Sequence, residues 1–275
     1  MWSNPPLPWY VYPPAAVLLL LLLYVLLLWF ERANVWIPSR TMFATPDQEG
    51  LPYEEIIFES GGHRLVGWYI PAEEPVASLL FCHGNAGNIS YRLDSLRQFR
   101  SICLNVFLFD YRGYGRSEGR VTEAGTYADA QAAWNWLCQR DPNQPRIIFG
   151  RSMGAAVAAE LATRNSAQAL IFESGFMSIP ELGQERFPFL PVKLLGRIKY
   201  DSLSKIGSIH MPILVIHSLE DELVPIRHGR AIFAAAPEPK EFITIHGGHV
   251  EAHFLSEKSY LEALSRFIQE YVVPN

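Results

Sequence analysis

The sequence predicts an α/β fold, a mostly parallel sheet with helices on both faces, preceded by one apolar helix of membrane-spanning length. Three observations carry that prediction. Short apolar runs alternate with helical patterns from residue 78 to residue 272. Strand–helix–strand alternation at that spacing means crossover connections and a parallel sheet. Chemistry-bearing motifs follow the ends of those runs, where open α/β sheets bind their ligands. Finally, residues Ala15–Phe30 hold neither a charge nor a helix breaker. The formal net charge of -5 gives no electrostatic reason to expect nucleic acid as a partner.

The apolar run comes first. At 1.5 Å per residue, Ala15–Phe30 spans about 24 Å. Trp9, Tyr10, Val11 and Tyr12 before it, and Trp36 after it, add apolar length and interface-seeking aromatics. A helix apolar all round is buried on every side or sits in lipid. A cleaved signal peptide is the rival reading. It wants a basic start and a small-x-small cleavage site; residues 1–14 hold no Lys or Arg, and WFERAN is a poor site. The expectation is a tail over 1–14 and a retained single-pass membrane anchor over 15–30 that does not shape the site. Arg32 and Arg40 follow the helix, and no basic residue precedes it. The positive-inside rule then leans toward a cytoplasmic catalytic domain. Residues 31–52, with Pro38, Pro46, Asp47, Gly50 and Pro52, read as a connector without a core of its own. The catalytic domain is expected over 53–275.

Glu54–Glu59 and Arg64–Ile70 read as a hairpin turning at Gly61-Gly62. Ser78–Cys82 and Asn105–Asp110 suit strands buried on both faces, with a helical period over Tyr91–Arg100 between them. Thr122–Cys138 reads as a long helix with Glu123 favourably placed in its first turn. Arg146–Phe149 is a strand, and Met153–Thr163 an alanine-rich helix suited to close packing. Ala169–Phe172, Ile213–His217 and Glu241–Ile245 are further strands, and Arg230–Ala235 a helix. The last helix, Ser259–Val272, sets Tyr260, Leu261, Leu264, Phe267, Ile268 and Tyr271 along one stripe. Cys82, Cys103 and Cys138 are odd in number, lack zinc-site spacing and read as unpaired thiols.

Gly150-Arg151-Ser152-Met153-Gly154 is a G-x-S-x-G match between a strand and a helix. A sharp turn there pushes a serine into strained backbone and exposes its hydroxyl at a helix N-terminus. Glycines two before and two after avoid collisions with neighbouring backbone. Ser152 is the expected nucleophile. A tetrahedral oxyanion needs backbone N–H groups from two directions. Met153 is one candidate; Asn85, in the loop His83–Asn88, is the other, with Gly84 easing the turn and His83 holding the loop. The base must be a histidine oriented by a carboxylate. His249, after the strand EFITI, is the expected base, with His253 and His246 as alternatives. Asp221 is the expected acid, with Glu222, Glu220 and Glu173 as rivals.

HGNAGN, DYRGYGRSEG (Asp110–Gly119), GRSMGA and DELVP (Asp221–Pro225) together resemble the α/β-hydrolase superfamily. Within it they resemble the bud-emergence-type, single-anchor branch. That branch is similar to serine aminopeptidase-like hydrolases and eukaryotic protein depalmitoylases. The resemblance covers Tyr53–Val272 and implies an α/β-hydrolase fold with an eight-stranded sheet and a Ser–Asp–His triad. Two departures stand out. His246-Gly247-Gly248-His249 replaces the usual G-x-G-H, and Val250-Glu251 replaces the Asn-Asp that often follows.

No cofactor or metal is expected. In His249-Val250-Glu251-Ala252-His253 the glutamate stands one place too late for a zinc protease. In Gly113–Gly119 the third glycine is one residue late for a dinucleotide loop. The expected function is hydrolysis of an ester or thioester, less readily an amide, through an acyl-enzyme on Ser152. Expected partners are an acyl-bearing small molecule, lipid or acylated protein, and a membrane. A catalytically silent hydrolase-fold binding protein is the alternative. Residues 176–205 exceed a plain crossover. They are expected to form a short cap whose Phe189 and Leu190 face the acyl site, the alternative being a crossover helix that merely covers the sheet.

Overall fold

The computed structural model describes residues 12–273. Trp9, Tyr10 and Val11 lie outside them. Helix α1 (Tyr12–Val35) runs five residues beyond the predicted apolar segment, and strand β1 (Ile37–Pro38) follows at once. A 3-10 turn over Pro46–Glu49 leads to the hairpin of β2 (Glu54–Ser60) and β3 (His63–Ile70). After β4 (Ala77–Cys82) the chain makes the short β5 (Ala86–Gly87), a 3-10 turn over Ile89–Tyr91, α2 (Leu93–Ser101) and β6 (Leu104–Phe109). The single helix expected over Tyr91–Arg100 is thus a short turn and a helix, because the Asn88 side chain caps the turn at Ser90 N–H. Then come α3 (Glu123–Arg140), β7 (Arg146–Arg151), α4 (Met153–Ala162) and β8 (Ala169–Glu173). Three short helices follow: α5 (Ile179–Arg186), α6 (Val192–Leu195) and α7 (Leu203–Ile206). The chain closes with β9 (Ile213–Ser218), α8 (Arg227–Ala235), β10 (Lys240–Ile245), α9 (Ala252–Leu255) and α10 (Glu257–Tyr271).

Eight strands form one sheet in the order β10-β9-β8-β7-β4-β6-β3-β2. The six strands from β10 to β6 are mutually parallel, and β3 runs antiparallel to both its neighbours. The central strands are buried along their whole length, which is why they read as unbroken apolar runs. Their pleat divides the core in two. Leu80 and Cys82 of β4 pack with α3 and α4 on one face. Leu79 and Phe81 pack with α2 and α10 on the other. The capping oxygen of Thr122 accepts from Gly125 N–H at 3.0 Å and starts α3 where its sequence calls for it.

The segment after α1 is not free chain. Val35, Trp36 and Leu51 are buried. β1 pairs with β5 in parallel, Ile37 opposite Ala86 and Pro38 opposite Gly87. The indole N–H of Trp36 donates to Tyr200 Oη at 3.1 Å. Residues 31–52, read from sequence as a connector without a core of its own, pack on the body through these contacts. Arg40 donates to the Ser117 carbonyl at 2.5 Å, and Arg32 to that of Val121 at 3.3 Å. Both arginines that follow the apolar run hold this segment to the body.

Candidate active site

The chain that leaves β7 turns sharply into α4 at Ser152, which adopts φ 57° and ψ -122°. A non-glycine residue at positive φ is strained and persists only where its surroundings hold it. Here its N–H donates to the Glu173 carbonyl of β8 at 2.9 Å. The flanking glycines are sterically required. A Cβ at Gly150 would lie 2.6 Å from Ala155 Cα, and one at Gly154 would collide with the Cys82 carbonyl oxygen. Gly84 differs from the expectation. Its φ is not positive, and a Cβ there would rest 3.4 Å from Ser152 Cβ, so the loop's path does not depend on it.

Ser152, His249 and Asp221 come together from the ends of three strands. Ser152 Oγ lies 2.9 Å from His249 Nε2, and His249 Nδ1 lies 2.7 Å from Asp221 Oδ2. Asp221 Oδ1 accepts from the N–H groups of Leu223 at 3.0 Å and Val224 at 2.7 Å. Burial pushes the Asp221 carboxyl up. The hydrogen bond and charge of His249 and the Val224 N–H outweigh that and hold it below the usual carboxylate range. The carboxylate is thus an acceptor at neutral pH, so Nδ1 carries the imidazole proton and Nε2 is free to accept from the serine.

The rivals have other work. Glu173 pairs with the buried Arg151 and accepts from Tyr260 O–H at 2.6 Å. Glu222 accepts from the His249 N–H at 3.0 Å, and Glu220 from Gly247 N–H at 2.8 Å, so both carboxylates shape the histidine loop. The His246 ring turns to Glu220, with Nδ1 3.2 Å from its carboxylate. His253 sits against Arg151, with its Nε2 3.4 Å from a guanidinium nitrogen. Burial, then the charges of Arg151 and Arg92, push its imidazole down to about 2. His217 was not singled out from sequence. It donates from Nε2 to the Val224 carbonyl at 2.7 Å beside Asp221, and burial pushes its ring below the usual histidine range.

Asn85 and Met153 both border the space above Ser152. Among the described residues, neither backbone N–H donates a hydrogen bond. His83 is fully buried, with Nδ1 2.7 Å from the Gly84 carbonyl and Nε2 3.5 Å from Asp110, which fits its expected loop-holding role. The Asn85 loop is also held from a side the sequence did not announce. Asn85 Nδ2 donates to the Val35 carbonyl at 3.1 Å, and its own carbonyl accepts from Ile37 N–H at 3.3 Å.

Ser152 opens into a cavity of about 400 Å³. From the cap, Phe187, Leu190, Val192 and Leu195 line it. Phe189 does not, being 98% exposed, and Leu194 also faces outward. The α1 helix lines the cavity as well, through Leu27, Phe30, Glu31 and Asn34. This corrects the expectation that the apolar segment leaves the site alone. A period of hydrophobicity cannot report such docking, and the one signal in sequence is Glu31, a carboxylate at the end of an apolar run.

A family model described as serine aminopeptidase, S33 matches residues 73–206. The α/β hydrolase domain-containing protein WAV2 of Arabidopsis thaliana is 34% identical over 276 residues, covering 90% of each chain. The chain belongs to the α/β-hydrolase superfamily. An uncharacterized protein of Mycobacterium tuberculosis is 37% identical over 253 residues, covering 87% of this hydrolase and 90% of that protein. The Pyrococcus furiosus esterase Pf2001 superposes with a TM-score of 0.73 at 19% identity, covering 86% of this chain and 98% of that one, a likeness of fold.

Proposed function

We propose that this hydrolase cleaves a carboxylic ester or thioester, amides less readily, through an acyl-enzyme on Ser152. The observation that carries the reading is the unbroken chain from Ser152 Oγ through both nitrogens of His249 to Asp221. Ser152 Oγ attacks the carbonyl carbon while His249 Nε2 takes its proton. Asp221 orients the ring and stabilises the imidazolium that forms. The N–H groups of Asn85 and Met153 receive the oxyanion. Collapse expels the alcohol or thiol, which leaves with the proton from Nε2. Water, deprotonated by the same nitrogen, then cleaves the acyl-enzyme and releases a carboxylic acid. The strained turn at Ser152 and the low-lying Asp221 carboxyl support these roles.

In the same reading α1 is a retained membrane anchor. Its charge-free stretch, Ala15–Phe30, extends about 24 Å, most of a hydrocarbon core of about 30 Å. Arg32 and Arg40 lean toward a cytoplasmic body, though both also have structural partners. An active-site-directed fluorophosphonate tests the reading. Ser152→Ala should abolish labelling and cut turnover on the order of 10⁶-fold. Retained labelling in a folded Ser152→Ala protein would sink the assignment, and an intact protein that never labels would point to a silent binding protein.

A further inference from the structure

We propose that the cavity above Ser152 is an acyl channel with α1 as one wall, and that it takes a long apolar acyl chain delivered from a lipid phase. This rests on the hydrolase reading above and adds the class of substrate.

The geometry of α1 carries the argument. Leu27, Phe30, Glu31 and Asn34 follow the i, i+3, i+4, i+7 spacing of one helical face, and all four line the cavity. Just upstream the helix is uncovered on every side. Leu18, Leu20 and Leu22 are 67%, 66% and 55% exposed, and the intervening Leu19 and Leu21 are similarly bare. An all-round apolar surface of that length is at home in hydrocarbon. The cavity wall and this surface are therefore one continuous strip. A chain leaving the cavity past Leu27 runs onto residues that suit a bilayer, not onto a polar rim.

The helix is fastened to the cap. One Glu31 carboxylate oxygen accepts from the N–H groups of Arg197 at 2.7 Å and Ile198 at 2.8 Å. The Phe30 ring meets Phe187 edge-on at 5.3 Å, and the Arg197 guanidinium lies 5.3 Å from the Tyr24 ring centre. Outside the cavity the cap shows Phe189 and Leu194, with Lys193 between them and Arg197 close by. Apolar side chains interleaved with long basic ones suit the zone between headgroups and acyl chains. Ser152 and His249 line the same cavity, so the carbonyl of a chain threaded into it from lipid can reach the nucleophile.

The test uses the full chain in phosphatidylcholine vesicles, with p-nitrophenyl palmitate and p-nitrophenyl acetate as probes. Leu27→Trp should lower the palmitate-to-acetate ratio of kcat/KM about tenfold or more. Leu26→Trp, on a half-exposed position off the cavity, should leave that ratio where it was. An unchanged ratio in a Leu27→Trp protein that still labels with fluorophosphonate overturns the channel while leaving the hydrolase reading intact. Loss of labelling in the unaltered chain overturns both. Should Leu27→Trp fail to fold, the unaltered chain decides. A hexadecyl fluorophosphonate bearing a photoreactive group near its chain end should cross-link within residues 16–31, and cross-links confined to residues 176–224 overturn the proposal. Monopalmitoylglycerol and an S-palmitoyl peptide in the same vesicles tell a lipid ester from an acylated protein. Turnover of either supports the long-chain assignment, and turnover of neither overturns it.

Discussion

Asp221→Asn separates orientation from folding. Asp221 Oδ1 accepts two backbone N–H groups, from Leu223 and Val224, while Oδ2 faces His249 Nδ1. Asparagine has a single oxygen. Turning its NH2 toward the two backbone donors would strip both of their acceptor, at about 1–3 kcal/mol each. The oxygen therefore stays with the backbone, and the NH2 faces Nδ1. A donor there forces Nδ1 to accept, so the ring proton moves to Nε2 and points at Ser152 Oγ. The lone pair that should take the serine proton is gone. A wrong tautomer of this kind lowers kcat on the order of 10⁴-fold, or about 5.4 kcal/mol of barrier. The backbone bonds survive, so thermal stability should change little. Steady-state hydrolysis of p-nitrophenyl acetate, beside a thermal melt, reads both. A folded Asp221→Asn protein with turnover within tenfold of the parent would refute the reasoning and return the acid to one of its neighbours.

The other predictions concern the scaffold beneath the serine. Glu173→Gln leaves the Arg151 guanidinium buried without its carboxylate and should destabilise the fold by about 3–5 kcal/mol in urea unfolding. Its folded fraction should still label at Ser152, and a stable but unlabelled variant would make Glu173 part of the chemistry. His253, held down to about 2, stays neutral in the folded chain while the unfolded chain takes up a proton below about pH 6.5. Its contribution to stability is present above that pH and is lost as pH falls, by at most about 1.4 kcal/mol per unit. His253→Gln should flatten the slope of unfolding free energy between pH 6.5 and pH 5; an unchanged slope means that the ring titrates normally. Asp221, held below its usual range, adds a loss of the same sign that begins near pH 4.

Much of this architecture is legible residue by residue. Strands such as Ile213–Ser218 are buried on both faces and read as apolar runs because helices cover the sheet twice. The strand–turn–helix setting of Ser152 is legible because a G-x-S-x-G has content only between a strand and a helix. The choice of His249 over His253 was harder. Both follow β10, and only the fold shows that His253 turns back onto Arg151. Contacts across long stretches of chain leave no periodicity. The pairing of Ile37 with Ala86, the hold of Asn85 on Val35 and the seat of α1 on the cap are such contacts. Phe189 shows the converse failure, since a short loop between helices has no period to say which side faces the cavity.

The grip of Glu31 on the cap also sets a timetable for synthesis. Ile198, which supplies one of the two N–H donors, lies 167 residues downstream. At about 5–20 residues per second, roughly 8–33 s separate the appearance of the carboxylate from that of its partner. The apolar helix is complete throughout that interval and has no cap to meet. Whatever shelters it as it leaves the ribosome must therefore be something other than the domain it will later wall, and must still leave the Leu27 and Phe30 face free when the cap arrives.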